Sequence, residues 1–170
     1  GFGQTGPYAN RLGYDFIIQA LSGIMDLTGE PDGEPQKMGV AFADIFTGLY
    51  GVIAIQSALR VREQSQKGQH IDLSLMDSMV AVLANQASNY FVSGKSPKRM
   101  GNKHPNIVPY QVFKVKDGHL IIAVGNNEQF ERFCKVIGLD YLYSSEEYNN
   151  NQKRVQNREK LVEMYDFLVR

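Results

Sequence analysis

The 170-residue sequence has no tryptophan, one cysteine and no net charge, and each shortage excludes something. A single cysteine, Cys134, rules out an internal disulfide framework and any cysteine-built zinc cluster, and fits a reducing compartment. Eighteen Lys and Arg balance eighteen Asp and Glu, which removes the electrostatic reason for a nucleic-acid or anionic-membrane partner. A small-molecule partner is expected instead. The three histidines are scattered; His70 and His119 lack a ligand neighbour at helical or strand spacing, so no metal is expected. No basic segment followed by an apolar one opens the chain, so no targeting peptide is read. The expected location is the cytoplasm, or the mitochondrion in a eukaryote. The longest apolar stretch, Gly39 to Leu59, is interrupted by Asp44, Thr47, Gln56 and glycines. A membrane span wants about 20 mostly apolar residues with few polar breaks, so this stretch reads as a buried helix with its approach segment.

What is present suffices for a packed core. Hydrophobic residues make up 43% and charged ones 21%, enough apolar surface to offset ordering entropy. Tyr14 to Leu27 and Met76 to Phe91 have helical spacing, and His70 to Leu75 alternates as a short strand. The helix expected from Asp44 to about Glu63 is apolar on nearly every side and so belongs deep in the core. Residues 94–107 are polar, basic and punctuated by Gly and Pro, which reads as a linker between segments 1–93 and 108–170. Beyond it, Gln111 to Lys116 and His119 to Val124 flank Asp117-Gly118, a type I′ hairpin signal. Gln129 to Ile137 and Arg154 to Val169 are amphipathic, with Cys134 on an apolar face. Lys153, Arg154, Arg158 and Lys160 read as a solvated face.

Gly1-Phe2-Gly3-Gln4-Thr5-Gly6 satisfies G-x-G-x-x-G, but no strand precedes it and no helix opens at its third glycine, as a dinucleotide loop requires. Asp44 needs an explanation, because it lies in the apolar run Val40 to Phe46 with no cation near it in sequence. An unpaired carboxylate out of water is capped, paired or functional. As an N-cap of a helix starting at Ile45 it would accept the first free N–H groups, and a capped carboxylate stays ionised, as a nucleophile or base must be. Both readings stand. Asp77 has a similar capping explanation at the next helix start. His104, in the linker, has a position where ligand contacts are common.

Read in order, Gly1-Phe2-Gly3-Gln4-Thr5-Gly6-Pro7-Tyr8, Gly13-Tyr14-Asp15, Gln19-Ala20-Leu21-Ser22-Gly23, Pro31-Asp32-Gly33, Val40-Ala41-Phe42-Ala43-Asp44 and Gly68-Gln69-His70-Ile71-Asp72 resemble the family III CoA-transferases. That group is related to the α-methylacyl-CoA racemases. The resemblance runs from residue 1 to about residue 160, and the chain looks like the middle part of a longer member. It implies an α/β fold: part of an open Rossmann-like large domain, a linker carrying an active-site loop, and the start of a smaller α+β domain, in an intertwined homodimer.

The resemblance also implies the chemistry. The substrates would be an acyl-CoA and a free carboxylic acid, with no tightly bound cofactor and no metal. The family's catalytic aspartate falls on Asp44, kept dry by Phe42, Ile45 and Phe46. Tyr14 and Asp15 match further active-site positions. Arg11, Tyr14, His104 and Asn106 are the candidate CoA contacts. Racemases carry histidine at the position of Tyr14, and a phenol is a poor base at neutral pH, so transfer is expected over racemisation. The run His104 to Tyr110 looks like that of members using dicarboxylates. A CoA-binding or dimerisation module without turnover is the remaining alternative.

Overall fold

Gly23 makes the first interruption in the helical pattern. The computed structural model describes residues 1–169, with side chains through Tyr165. Helices α1 (Asp15–Leu21) and α2 (Ile24–Leu27) are separated because Gly23 adopts φ 87°, a left-handed conformation that glycine enters without steric penalty. The single helix expected over Tyr14 to Leu27 is therefore two. A second break divides the helix expected over Met76 to Phe91 into α4 (Leu75–Val82) and α5 (Ala84–Ser93), with Ala84 at φ 48°. Ser74 caps α4, its hydroxyl accepting from the Asp77 N–H at 3.0 Å. Asp77 thus lies in the first turn and is not the cap. The strand expected at His70 to Leu75 is not formed: the residues before α4 are irregular, and no strand lies beside them among the described residues. An alternating segment without a neighbour has no ladder to join.

The chain divides into two compact units, Gly1–Gly101 and Asn102–Arg170. In the first, α1, α4 and the start of α3 (Phe42–Ser65) meet around Ile18, Ala43 and Met79, all fully buried. Phe2, Ile24, Phe42, Leu75 and Met76 pack against them. The opening segment is held in this cluster by close backbone approach. A Cβ on Gly13 would lie 2.5 Å from Gly1 Cα, and Gly1 O accepts from the Met76 N–H at 3.1 Å.

The expectation that α3 lies deep in the core is corrected. Only Ala43 on it is buried, and Val52 and Ile53 are 57% and 61% exposed. The helix is apolar all round, whereas within this unit α1 and α4 are its main helical neighbours, and two short helices cannot cover every side. At 24 residues, α3 is long and apolar enough to cross a membrane by length and composition. It is tied into the first unit at its start.

In the second unit, β1 (Tyr110–Val115) and β2 (Gly118–Ala123) form an antiparallel hairpin with Val115 opposite Gly118. The connecting pair is thus Lys116-Asp117, not Asp117-Gly118. None of these three residues has positive φ, so the turn is not type I′. Register is set by the face that carries Phe113 and Ile122 into the core. This hairpin is the whole sheet content of the described residues, alongside α6 (Asn127–Val136), α7 (Tyr141–Ser144), α8 (Asn151–Gln156) and α9 (Arg158–Val169). Asn126 and Asn150 cap α6 and α8, accepting from Gln129 N at 2.9 Å and Lys153 N at 3.0 Å. The core contains Phe113, Phe130, Cys134, Leu142, Leu161 and Tyr165, and burial pushes the Cys134 thiol up to about 11, which makes it unreactive at neutral pH.

Arg154 overturns its reading as part of a solvated face. It is fully buried, donating from Nε to Val108 O at 2.9 Å, from Nη1 to Tyr148 O at 3.0 Å and from Nη2 to Asn127 Oδ1 at 3.0 Å. Its guanidinium lies 4.3 Å from the Phe130 ring centroid. Three segments distant in sequence converge on one planar cation that offers five N–H donors. Arg154→Leu would leave two backbone carbonyls without donors, and is expected to destabilise the second unit by about 3 kcal/mol or more. Urea denaturation followed by far-UV circular dichroism measures this.

Candidate active site

Asp15 stands at the first position of α1, and its carboxylate spans two helices. Oδ1 accepts the Ala43 N–H at 2.8 Å and, at the longer distance of 3.5 Å, the Asp44 N–H; Oδ2 accepts from Gln19 Nε2 at 2.8 Å. These N–H groups belong to the first turn of α3, where donors are unsatisfied and the helix dipole favours an anion. Asp44 is therefore not the cap of its own helix. The helix starts at Phe42, with Ala41 at the N-cap position and no side-chain hydrogen bond from it. The cap is supplied by Asp15, from 28 residues away.

Gln19, not singled out in the sequence, completes the arrangement. Fully buried, it accepts the Met38 N–H on Oε1 at 2.9 Å and reaches Val40 O from Nε2 at 3.4 Å. One side chain thereby fixes the approach segment of α3 and orients the carboxylate that caps it. Beyond its place in the Gln19-Ala20-Leu21-Ser22-Gly23 series, its sequence signal is a spacing of four from Asp15 on one face of a helix.

Asp44 itself is exposed. Successive helical residues point about 100° apart, so the same turn that buries Ala43 turns Asp44 outward. Ile45 is half exposed, and the Phe46 ring packs against Phe42 at 4.6 Å between centroids, tilted by 52°. The dry surroundings expected of Phe42, Ile45 and Phe46 are not formed among the described residues. Among the described residues the Asp44 carboxylate has no hydrogen bond or ion pair. Tyr14, at the N-cap position of α1, is 71% exposed, and no hydrogen bond joins it to Asp44 among the described residues. Arg11 is exposed, its guanidinium 3.9 Å from the Tyr8 ring centroid. A cleft of 380 Å³ in this unit, lined by Leu27, Leu83, Ala87 and Tyr90 among others, does not include Asp44.

His104 and Asn106 belong to the second unit. His104 Nδ1 accepts the Asn106 N–H at 3.0 Å, so the neutral ring carries its proton on Nε2. Asn151 donates to Asn106 O at 2.7 Å and accepts the Val108 N–H at 3.2 Å. Arg158 donates from Nη2 to His104 O at 2.7 Å and Pro105 O at 3.0 Å. Arg158, like Arg154, thus faces inward. Two cations four residues apart repel on a solvated helix, and that spacing was the available sign that these residues bind carbonyls.

Comparison with known proteins decides the family. The profile of CoA-transferase family III matches residues 1–166. The chain belongs to CoA-transferase family III. This family III chain is 56% identical over 158 residues to the succinate–glutarate CoA-transferase of Agrobacterium fabrum, covering 93% of this chain and 40% of that protein. It is 44% identical over 164 residues to the human succinyl-CoA:glutarate CoA-transferase, covering 96% and 37%. A crystal structure of a CaiB/BaiF family protein from Brucella suis matches with a TM-score of 0.74 and 61% identity, covering 99% of this chain and 45% of that one. A hypothetical protein of Mycobacterium tuberculosis, at 21% identity and a TM-score of 0.82 over 99% of this chain and 44% of that one, shares the fold. The chain spans about two fifths of the length of these curated relatives.

Two outcomes test the geometry. Gln19 offers Asp15 a donor while its oxygen is committed to Met38, so Asp15→Asn places an amide N–H against an N–H. Asp15→Asn should destabilise the α3 start by about 1–2 kcal/mol, read as faster hydrogen exchange in the first turn of α3. The second concerns His104, whose pKa is lowered from 6.5 by burial and then by the Arg158 cation. The folded state holds this proton less tightly than the unfolded chain, so its contribution is full above pH 6.5 and is lost as pH falls through the lower folded value. An NMR titration of the His104 ring should show a midpoint below 6.5.

Proposed function

We propose that the chain serves a CoA-transferase moving CoA from an acyl-CoA to a free carboxylic acid. One observation carries the reading: the backbone of Asp44 is held at a capped helix start while its carboxylate has no partner among the described residues. A carboxylate nucleophile must be fixed in position yet unengaged. An Asp44 carboxylate oxygen attacks the thioester carbon, forming a mixed aspartyl-acyl anhydride as the C–S bond breaks and CoA leaves as thiolate. The thiolate attacks the aspartyl carbonyl and releases the donor acid as its carboxylate, leaving an aspartyl-CoA thioester. The acceptor carboxylate attacks that thioester, and the returning thiolate converts the second anhydride into product acyl-CoA, regenerating Asp44. Each step conserves an activated acyl group, so no ATP is consumed.

Segment 1–93 lies in a large Rossmann-like domain, 94–107 is a linker with an active-site loop, and 108–170 begins a smaller domain. Arg11, Tyr14, His104 and Asn106 contact CoA, Asp15 positions Asp44, and elements outside this chain exclude water from Asp44 within an intertwined cytoplasmic homodimer. The names of the relatives, succinate–glutarate and succinyl-CoA:glutarate CoA-transferase, support dicarboxylates as substrates. In the full-length protein, Asp44→Ala should lower transfer from succinyl-CoA to glutarate by about 10³-fold or more. Hydroxylamine added during turnover should convert Asp44 to a hydroxamate detectable by mass spectrometry. Retention of most of the transfer rate by Asp44→Ala, or α-proton exchange with deuterated solvent in place of transfer, would exclude the reading.

A further inference from the structure

Two glycines occur in the interior of α3, Gly48 and Gly51, and the neighbouring structure accounts for one of them. A Cβ on Gly51 would lie 3.4 Å from Leu73 Cδ1, so the helix packs closely there on the segment that leads into α4. A Cβ on Gly48 would meet nothing within 4 Å, and the residue is exposed. After proline, glycine is the least favourable residue in a helix interior, because its backbone has the most freedom to lose. Gly48 thus weakens a 24-residue helix with no packing reason among the described residues.

Its place supplies a different reason. Four residues of helix advance about 6 Å and return to within about 40° of the starting direction, so Gly48 lies one turn beyond Asp44 on the same face. Helical side chains lean toward the N-terminus, so a side chain at position 48 would cover the turn that bears Asp44. Thr47, three positions on, also borders this patch, and its hydroxyl is turned onto the helix, donating to Ala43 O at 2.7 Å. The exposed Asp44 carboxylate, without a hydrogen bond or ion pair among the described residues, therefore stands beside a patch of bare backbone.

We propose that Gly48 is a specificity-determining position: the acyl chain attached to the thioester carbon lies across the Gly48 backbone while Asp44 attacks. The assignment rests on the CoA-transferase reading. An attacking oxygen and its target carbon approach to about 3–3.5 Å, so the acyl chain on that carbon must lie close beside Asp44. Ile45, the next residue along the helix, projects its own half-exposed side chain, whereas the turn at Gly48 leaves room. A methyl group at position 48 would contact neither the Asp44 side chain nor a neighbouring segment. It would act on the bound acyl chain and leave the nucleophile as it is.

The test is steady-state kinetics of full-length Gly48→Ala and Gly48→Met, with succinyl-CoA as donor and glutarate as acceptor. Both replacements favour a helix over glycine, so the melting temperature should stay level or rise by about 1–2 °C. kcat/KM should fall about tenfold with Ala and about 100-fold or more with Met. Free CoA, titrated calorimetrically, should bind both variants as it binds the unaltered protein, because the CoA arm does not cross position 48. A lower melting temperature in Gly48→Ala would show that another segment packs on Gly48, and weaker binding of free CoA would show that the CoA arm crosses it. Either result overturns the assignment. If hydroxylamine yields no Asp44 hydroxamate in the unaltered protein, the CoA-transferase reading falls and this assignment falls with it. Hydroxamate formation alongside undiminished transfer in Gly48→Met overturns this assignment alone.

Discussion

The first unit is organised by the carboxylate of Asp15, which terminates one helix start while forming part of another. Without it, the Ala43 and Asp44 N–H groups in the first turn of α3 would be unpaired. The same carboxylate is held by Gln19, and Gln19 holds Met38 and Val40. A short polar chain therefore runs from α1 through the approach segment to the backbone of Asp44. The close crossing of Gly1 and Gly13 sets α1 in place for it. The two aspartates thus differ in engagement. One carboxylate is consumed by hydrogen bonds, which leaves the other unengaged.

The second unit solves a comparable problem with cations. The segment from His104 to Pro109 has little regular structure, and the carbonyls of His104, Pro105, Asn106 and Val108 are taken by Arg158, the Asn151 amide and Arg154. These residues come from α8 and α9, so the loop is fixed by helices some 45 residues downstream. A loop held in this way can present His104 and Asn106 with defined geometry, which binding residues require.

How much of this was legible in the sequence follows from the range of each interaction. The hairpin was legible from alternation around Asp117-Gly118, because strand pairing there is local. Its register was not, because the burial of Phe113 and Ile122 decides it. Asp44 was conspicuous as a charge in an apolar run. Its cap was misassigned, because the side chain that caps its helix lies in another helix. The long apolar helix was found, but its burial was not, since periodicity says which residues are apolar and nothing about how many neighbours exist to cover them. Arg154 was misread for a related reason: a charged residue in a run rich in charges reads as solvent-facing unless the distant carbonyls are known.

The inward-facing Arg154 has one further consequence. A guanidinium stays protonated throughout the range in which proteins fold, and the partners of this one are neutral oxygens, two carbonyls and an amide, whose acceptor strength salt does not change. Mobile electrolyte cannot enter the packed interior to screen it. The fastening at the centre of the second unit is therefore indifferent to ionic strength, a property that a carboxylate-paired arginine on the surface would lack.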